Sequence, residues 1–186
     1  MRRIVIWLLL IAGLVVRVVI AVTKPEVLWI DDTFYSLGIA RNIALGYGWT
    51  HDGLHVTNGF QPLHVFLIVP LYFVLPIYGR FIPIFILLIQ CIQNIVSGFI
   101  IFLVIEKLLG IRSSIIFLVI FSFSPYIISG INGLETTLQL FLFSIITYLY
   151  IFRWQGRLTK SDERLGNQIV EAAALGGGLA CWPSHA

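Results

Sequence analysis

The chain has 186 residues, of which 59% are hydrophobic and 11% charged, with a formal net charge of +3 and a mean hydropathy of +0.96. Apolar runs of 17 to 25 residues recur along it, more than a soluble core of this size can bury. The composition excludes a water-soluble globular domain and predicts an all-α, multi-span integral membrane protein. Its basic residues sit in short clusters between apolar runs, where they set orientation in the membrane and make no nucleic-acid face. Cys91 and Cys181 lie far apart in apolar sequence and offer neither a disulfide framework nor a zinc pattern.

Met1-Arg2-Arg3 leads into the first apolar run, Ile4 to Val22. That run is too long for the apolar part of a cleaved signal peptide and reads as an uncleaved signal anchor with the amino terminus inside. Arg17 falls near its far end, where a long side chain is expected to snorkel to the outer headgroups.

The stretch WIDDTFYSLGIARN, from Trp29, then places two carboxylates side by side. Asp31 to Gly46 predicts a helix with an Asp cap, ended by Gly46 or Gly48. One carboxylate suffices for a cap, so the other is a candidate general base at a membrane surface, where desolvation raises a carboxyl pKa. Phe34, Leu37, Ala44 and Leu45 share one side of that helix, but Ile39 and Ile43 lie nearly opposite. This suits a helix wedged between membrane surface and protein. A polar loop follows, YGWTHDGLHVTNGFQP, with a tight turn at Asn58-Gly59 and Pro62 closing it. A polar loop between apolar layers is where a substrate would sit. His51, Asp52 and His55 permit a metal site to be drawn, but Gly53 between the histidines argues against a rigid one, and the ordinary loop is preferred.

Leu63 to Gly79 is apolar, yet 17 residues at about 1.5 Å each reach about 25 Å, short of the roughly 30 Å hydrocarbon core. Pro70 and Pro76 would also break its hydrogen bonding. Cation placement agrees. If this segment does not cross, Lys107, Arg112, Arg153, Arg157, Lys160 and Arg164 join Arg2 and Arg3 inside, leaving Lys24, Arg41 and Arg80 outside, as short cytoplasmic loops require. The expected order is therefore a span at 4–22, an outer loop at 23–80 with interfacial helices, and spans at 81–105, 113–131 and 134–152. An inner turn, EKLLGIR, joins the second and third spans, a short outer loop containing NGLE joins the third and fourth, and an incomplete fifth span at 167–182 follows a polar inner loop. Trp7, Trp29, Trp49, Trp154 and Trp182 mostly fall near run ends, as interfacial tryptophans do. Glu135 reads either as a first-turn acid or, having no neighbouring cation in sequence, as a functional group. Gln90, Gln93, Asn94 and Ser97 read as helix-packing residues or as the lining of a pathway.

At the Asp31-Asp32 pair after the first span, at YSLGIARNIALGYG and TNGFQPL, and at NGLETTL, the sequence resembles the GT-C superfamily of integral membrane glycosyltransferases. The likeness is to the protein O-mannosyltransferase and aminoarabinose-transferase branch, and it covers the chain to about Phe152. The resemblance implies a polyprenyl-phosphate-linked sugar donor, a protein, lipid or glycan acceptor, and a multi-pass protein of the cell membrane that works on its outer side. No cofactor is expected, with a requirement for a divalent metal left open. It implies that Asp31 or Asp32 is the general base, that Glu135 orients acceptor or donor, and that transfer inverts the sugar. It further implies that Arg41, Arg80 or Arg17 faces the leaving phosphate, with His55 and His64 as lesser choices, and that Asn58, Gln61 and Asn132 complete the substrate site. The close at GGGLACWPSHA, inside a candidate span, departs from the family and reads as a truncated amino-terminal module. A transporter or channel module, or a non-catalytic remnant, is the alternative.

Overall fold

The computed structural model describes residues 2–75 and 81–154. The expected fifth span, most of the polar loop before it and Arg80 lie outside the described residues. In chain order the elements are α1 (Arg2–Thr23), a single 3-10 turn (Pro25–Val27), α2 (Asp31–Ala44), α3 (Pro62–Ile68), α4 (Leu71–Val74), α5 (Phe81–Leu109), α6 (Ile111–Phe123), α7 (Pro125–Ser129) and α8 (Thr136–Leu149). A π-helical turn, Tyr150–Trp154, continues α8. Among the described residues there is no strand, only an isolated antiparallel bridge between Thr50 and Val56. The chain divides into two compact units, the first ending at Ile145. Within the described part of the second, the Tyr148 and Phe152 rings stack at 4.4 Å.

Three helices are long and apolar enough to cross a membrane, Arg3–Thr23, Phe81–Leu109 and Thr136–Arg153. The all-helical expectation for a membrane protein holds at that level. The apolar segment after Pro62 forms α3 and α4, which Pro70 separates. The thirteen residues of Pro62–Val74 rise about 20 Å even if taken as one helix. Instead of standing alone they pack down: Val65, Ile68 and Tyr72 join Leu37 and Ile39 of α2 and Ile82 and Ile86 of α5 in one buried cluster. Burial pushes the Tyr72 hydroxyl up to about 12, and it donates to the Leu37 carbonyl at 3.0 Å. The α2 helix has Ile39 and Ala40 fully buried and Phe34 and Leu45 exposed. It ends through paired bonds from Gly46 N–H to the Ile43 carbonyl and from Tyr47 N–H to the Asn42 carbonyl, the Schellman pattern.

Three expectations change. The helix α5 runs on to Leu109, so most of EKLLGIR is helical and the chain turns at Gly110, with φ +83°. The expected continuous span at 113–131 is broken: α6 stops at Phe123 and α7 starts at Pro125. Proline has no N–H to give the carbonyl four residues back, and the last regular bond runs from Ser124 N–H to the Ile120 carbonyl.

Arg17 is the third correction, for it does not snorkel. It is fully buried where α1, α5 and α6 meet. Its Nη2 donates to the Phe121 carbonyl at 2.8 Å, its Nη1 to the carbonyls of Ser122 at 2.8 Å and Gly13 at 3.0 Å, and its Nε to Asn94 Oδ1 at 3.0 Å. The broken end of α6 offers buried acceptors that a guanidinium fork satisfies together, and the group also lies 5.6 Å from the Phe121 ring centre. The helices approach closely there, since a Cβ at Gly98 would stand 2.4 Å from a Phe121 ring carbon. Of the four polar residues of α5, Asn94 serves Arg17, Gln90 bonds the loop before α8, and Ser97 donates back to the Gln93 carbonyl. These are packing bonds.

Candidate functional site

The site begins at the start of α2. The Asp cap is not formed: the capping position is Ile30, extended at φ −124° and ψ 161°, and no side chain caps the helix. Leu28 is buried just after the 3-10 turn, and Asp31 and Asp32 both fall inside the first turn of α2. There they complement the positive end of the helix dipole without a capping bond. Successive helical residues are rotated by about 100°, so the two carboxylates cannot share a direction. Asp32 lines a cavity of about 250 Å³, whereas Asp31 is exposed and not part of its lining.

From α2, Tyr35 and Ser36 line the cavity beside Asp32; Gly59 and Gln61 come from the polar loop, and Leu134 and Glu135 from the turn before α8. Asp32 and Glu135, about 100 positions apart in sequence, thus face one space. The turn carrying Glu135 is fixed from three helices. Gln90 of α5 accepts from Gly133 N–H at 2.9 Å and donates to the Leu134 carbonyl at 2.6 Å. His64 of α3 donates through Nε2 to the Gly133 carbonyl at 2.9 Å, and the Thr33 hydroxyl of α2 donates to the Asn132 carbonyl at 2.5 Å. Asn132 Oδ1 accepts from Leu134 N–H and from the Thr136 hydroxyl. Gly133 takes φ +83°, and a Cβ there would meet Thr33 Cγ2 at 2.3 Å. Only glycine fits both the conformation and the space.

Burial pushes the His64 imidazole below its ordinary range, against smaller upward pulls from the Gly133 bond and from Glu135. It is a neutral ring with its proton on Nε2. One carboxylate oxygen of Glu135, Oε2, is buried with no hydrogen-bond partner among the described residues. Two acids, the Tyr35 and Ser36 side chains and the Gln61 amide therefore border one cavity whose lining holds no cation among the described residues. This set can accept several hydrogen bonds from a ligand rich in hydroxyls, and can take a proton from one of them.

The remaining expected residues separate into two groups. Gln61 is on the cavity wall, while His64 and Asn132 are not among its lining residues and bond the turn. His55 is away from the lining: its Nδ1 is 2.7 Å from Asp52 Oδ2 on the exposed loop. The N–H and ring of His55 and the N–H of Leu54 hold the Asp52 carboxyl well below the usual carboxylate range. His51 stacks on Tyr35 at 4.6 Å, and among the described residues no three His, Cys, Asp or Glu side chains group closely enough to hold a metal ion. Asn58 is exposed next to Gly59, and Arg41, in the last turn of α2, is not on the lining. Arg17 is committed to the α6 break. Sequence reasoning did not pick out Tyr35 and Ser36, although they stand three and four residues after Asp32, the spacing that puts side chains on one helix face. Gln90 was singled out only as a polar residue in a span, since nothing local pairs it with a turn some forty residues on.

No protein-family model, no curated protein and no solved structure matches the chain.

Proposed function

We propose that the chain is a multi-pass membrane glycosyltransferase module of GT-C type, taking a sugar from a polyprenyl-phosphate donor to an acceptor hydroxyl on the outer face of the cell membrane. The observation carrying this is the shared cavity of Asp32 and Glu135. Asp32 takes the proton of the acceptor hydroxyl as its oxygen attacks C1 of the sugar. The bond from C1 to the phosphate oxygen breaks, and the lipid phosphate departs with the electron pair. Configuration at C1 inverts. Glu135 orients the acceptor, its free oxygen receiving a second hydroxyl, and Tyr35, Ser36 and Gln61 complete the hydrogen bonding. Arg41 is the outward-side cation for the leaving phosphate; Arg80, the other cation expected on that side, lies outside the described residues.

In this topology α1 starts inside and α3 and α4 remain at the outer interface. The shortness of α3 and α4 supports that placement, as does the distribution of Lys and Arg. The test is proteoliposomes containing the chain and a radiolabelled polyprenyl-phosphate sugar. Label should move to a hydroxyl acceptor with release of polyprenyl phosphate, and Asp32→Asn should stop it with membrane insertion intact. Undiminished transfer by Asp32→Asn contradicts the assignment.

A further inference from the structure

At the end of the bundle that carries the first turn of α1 and the last turn of α5, a second cavity, of about 460 Å³, is bordered by Arg3, Ile6, Trp7, Phe99, Phe102 and Glu106. Trp7 and Phe99 stack at 5.8 Å to form an aromatic wall. The same two residues also line a wholly apolar groove of about 240 Å³ that continues along α1 and α5 past Leu10 and Leu14 to Ile95. The charged end and the apolar groove are thus continuous in their walls.

Arg3 and Glu106 both face this cavity and both are exposed, yet among the described residues neither makes a salt bridge. Arg3 lies in the first turn of α1, which holds no acid, and Glu106 lies in the last turn of α5, which also holds Lys107, so the cavity wall carries one cation and one anion. A headgroup carrying both an anion and a cation is complementary to this pair, the anion toward Arg3 and the cation toward Glu106. A hydrocarbon chain would fill the apolar groove below them.

We propose that this seam binds one zwitterionic phospholipid of the phosphoethanolamine type. Its phosphate lies against Arg3 and the α1 amino end, its primary ammonium donates to the Glu106 carboxylate, and an acyl chain runs down the groove under Trp7. The carboxylate is the selective element. It accepts N–H bonds from a primary ammonium, which a trimethylammonium headgroup cannot supply, and it repels a headgroup that is only anionic. The inference rests on α1 and α5 crossing the membrane and is independent of the sugar-transfer reading, whose cavity is lined by other residues.

Quenching of Trp7 by brominated lipid tests it, with a Trp7→Phe sample subtracted to isolate that residue. The full chain is placed in nanodiscs of inert phosphatidylcholine with increasing brominated phosphatidylethanolamine or brominated phosphatidylglycerol. Half-quenching should need about fivefold less of the ethanolamine lipid, the ratio one exposed ion pair can give. Glu106→Gln should erase that preference and Glu106→Asp should keep it, both at unchanged helical circular dichroism. Equal quenching by the two lipids in the parent chain, or a preference that survives Glu106→Gln, overturns the proposal.

Discussion

Arg17 gives the Phe121 carbonyl, at 2.8 Å, the hydrogen bond that an N–H at position 125 would supply in a continuous helix. Pro125 has no such N–H. An arginine in one helix and a proline in another, over a hundred positions apart in sequence, therefore form one structural unit. Arg17→Met leaves Asn94 Oδ1 and the carbonyls of Phe121 and Ser122 without this donor in an apolar setting, which should cost about 3 kcal/mol or more. Arg17→Lys keeps the charge but loses the fork and should recover little of it. Pro125→Ala restores a backbone donor, so the double variant with Arg17→Met should be more stable than the sum of the single losses by about 1 kcal/mol. Unfolding in detergent, followed by circular dichroism, measures all three. A parent-like melting curve for Arg17→Met would show that the buried bonds contribute nothing net.

Gly133 is the tightest point in the turn that presents Glu135. Gly133→Ala forces a side chain into φ +83° and against Thr33 Cγ2; the conformation alone costs about 1–2 kcal/mol, and the contact adds to it. Thr33→Ser removes the methyl and keeps the hydroxyl that reaches the Asn132 carbonyl. Paired with Gly133→Ala, it should recover the steric part of the loss and leave the backbone part. Equal stability of the single and double variants would place the whole cost in the backbone.

His64 ties that turn to pH. Its folded-state pKa lies below the ordinary value of 6.5, so folding favours the neutral ring. The stability it contributes is whole above pH 6.5 and declines as the pH falls from there through the folded-state value. Melting temperature should therefore drop between pH 7 and pH 5, and the drop should be shallower in His64→Gln, which keeps a donor for the Gly133 carbonyl but does not titrate. Matching pH slopes in parent and variant would remove His64 from the pH response.

The two neighbouring aspartates should behave differently. If Asp32 is the base, Asp32→Asn should lower sugar transfer by about 10²–10⁴-fold, with Asp31→Asn close to the parent because Asp31 is not on the cavity wall. Glu135→Gln should act mainly on acceptor KM, as expected of a positioning group. The opposite ranking of the two aspartates in initial-rate assays would move the base to Asp31.

Composition alone carried the helical membrane class, because no soluble core can absorb this much apolar chain. Proline chemistry marked the break at Pro70, and the same rule applied to Pro125 would have divided the span expected at 113–131. That proline sits among Ser122, Ser124 and Ser129 in a run otherwise long and apolar enough for one span, where length and mean hydropathy give no warning. Arg17 was misplaced because the sequence around it shows only apolar neighbours; the acceptors on Asn94, Phe121 and Ser122 are brought near only by tertiary packing. Asp32, Glu135 and Gln61, singled out in the sequence, line one cavity. The helical rotation separating Asp32 from Asp31 was legible too, but their direction depends on where α2 begins, and Ile30, not an aspartate, takes the capping position.

The shared outer placement of the polar loop and the turn before α8 is tested most directly by sided labelling of single cysteines in a chain carrying Cys91→Ala and Cys181→Ala. Asn58→Cys and Ser129→Cys, both at exposed positions, should react with a membrane-impermeant maleimide in intact cells, and Lys107→Cys only after permeabilisation. Reaction of Lys107→Cys together with Asn58→Cys in intact cells would put α3 and α4 across the bilayer, invert the proposed orientation of α5, and contradict the proposed outer site.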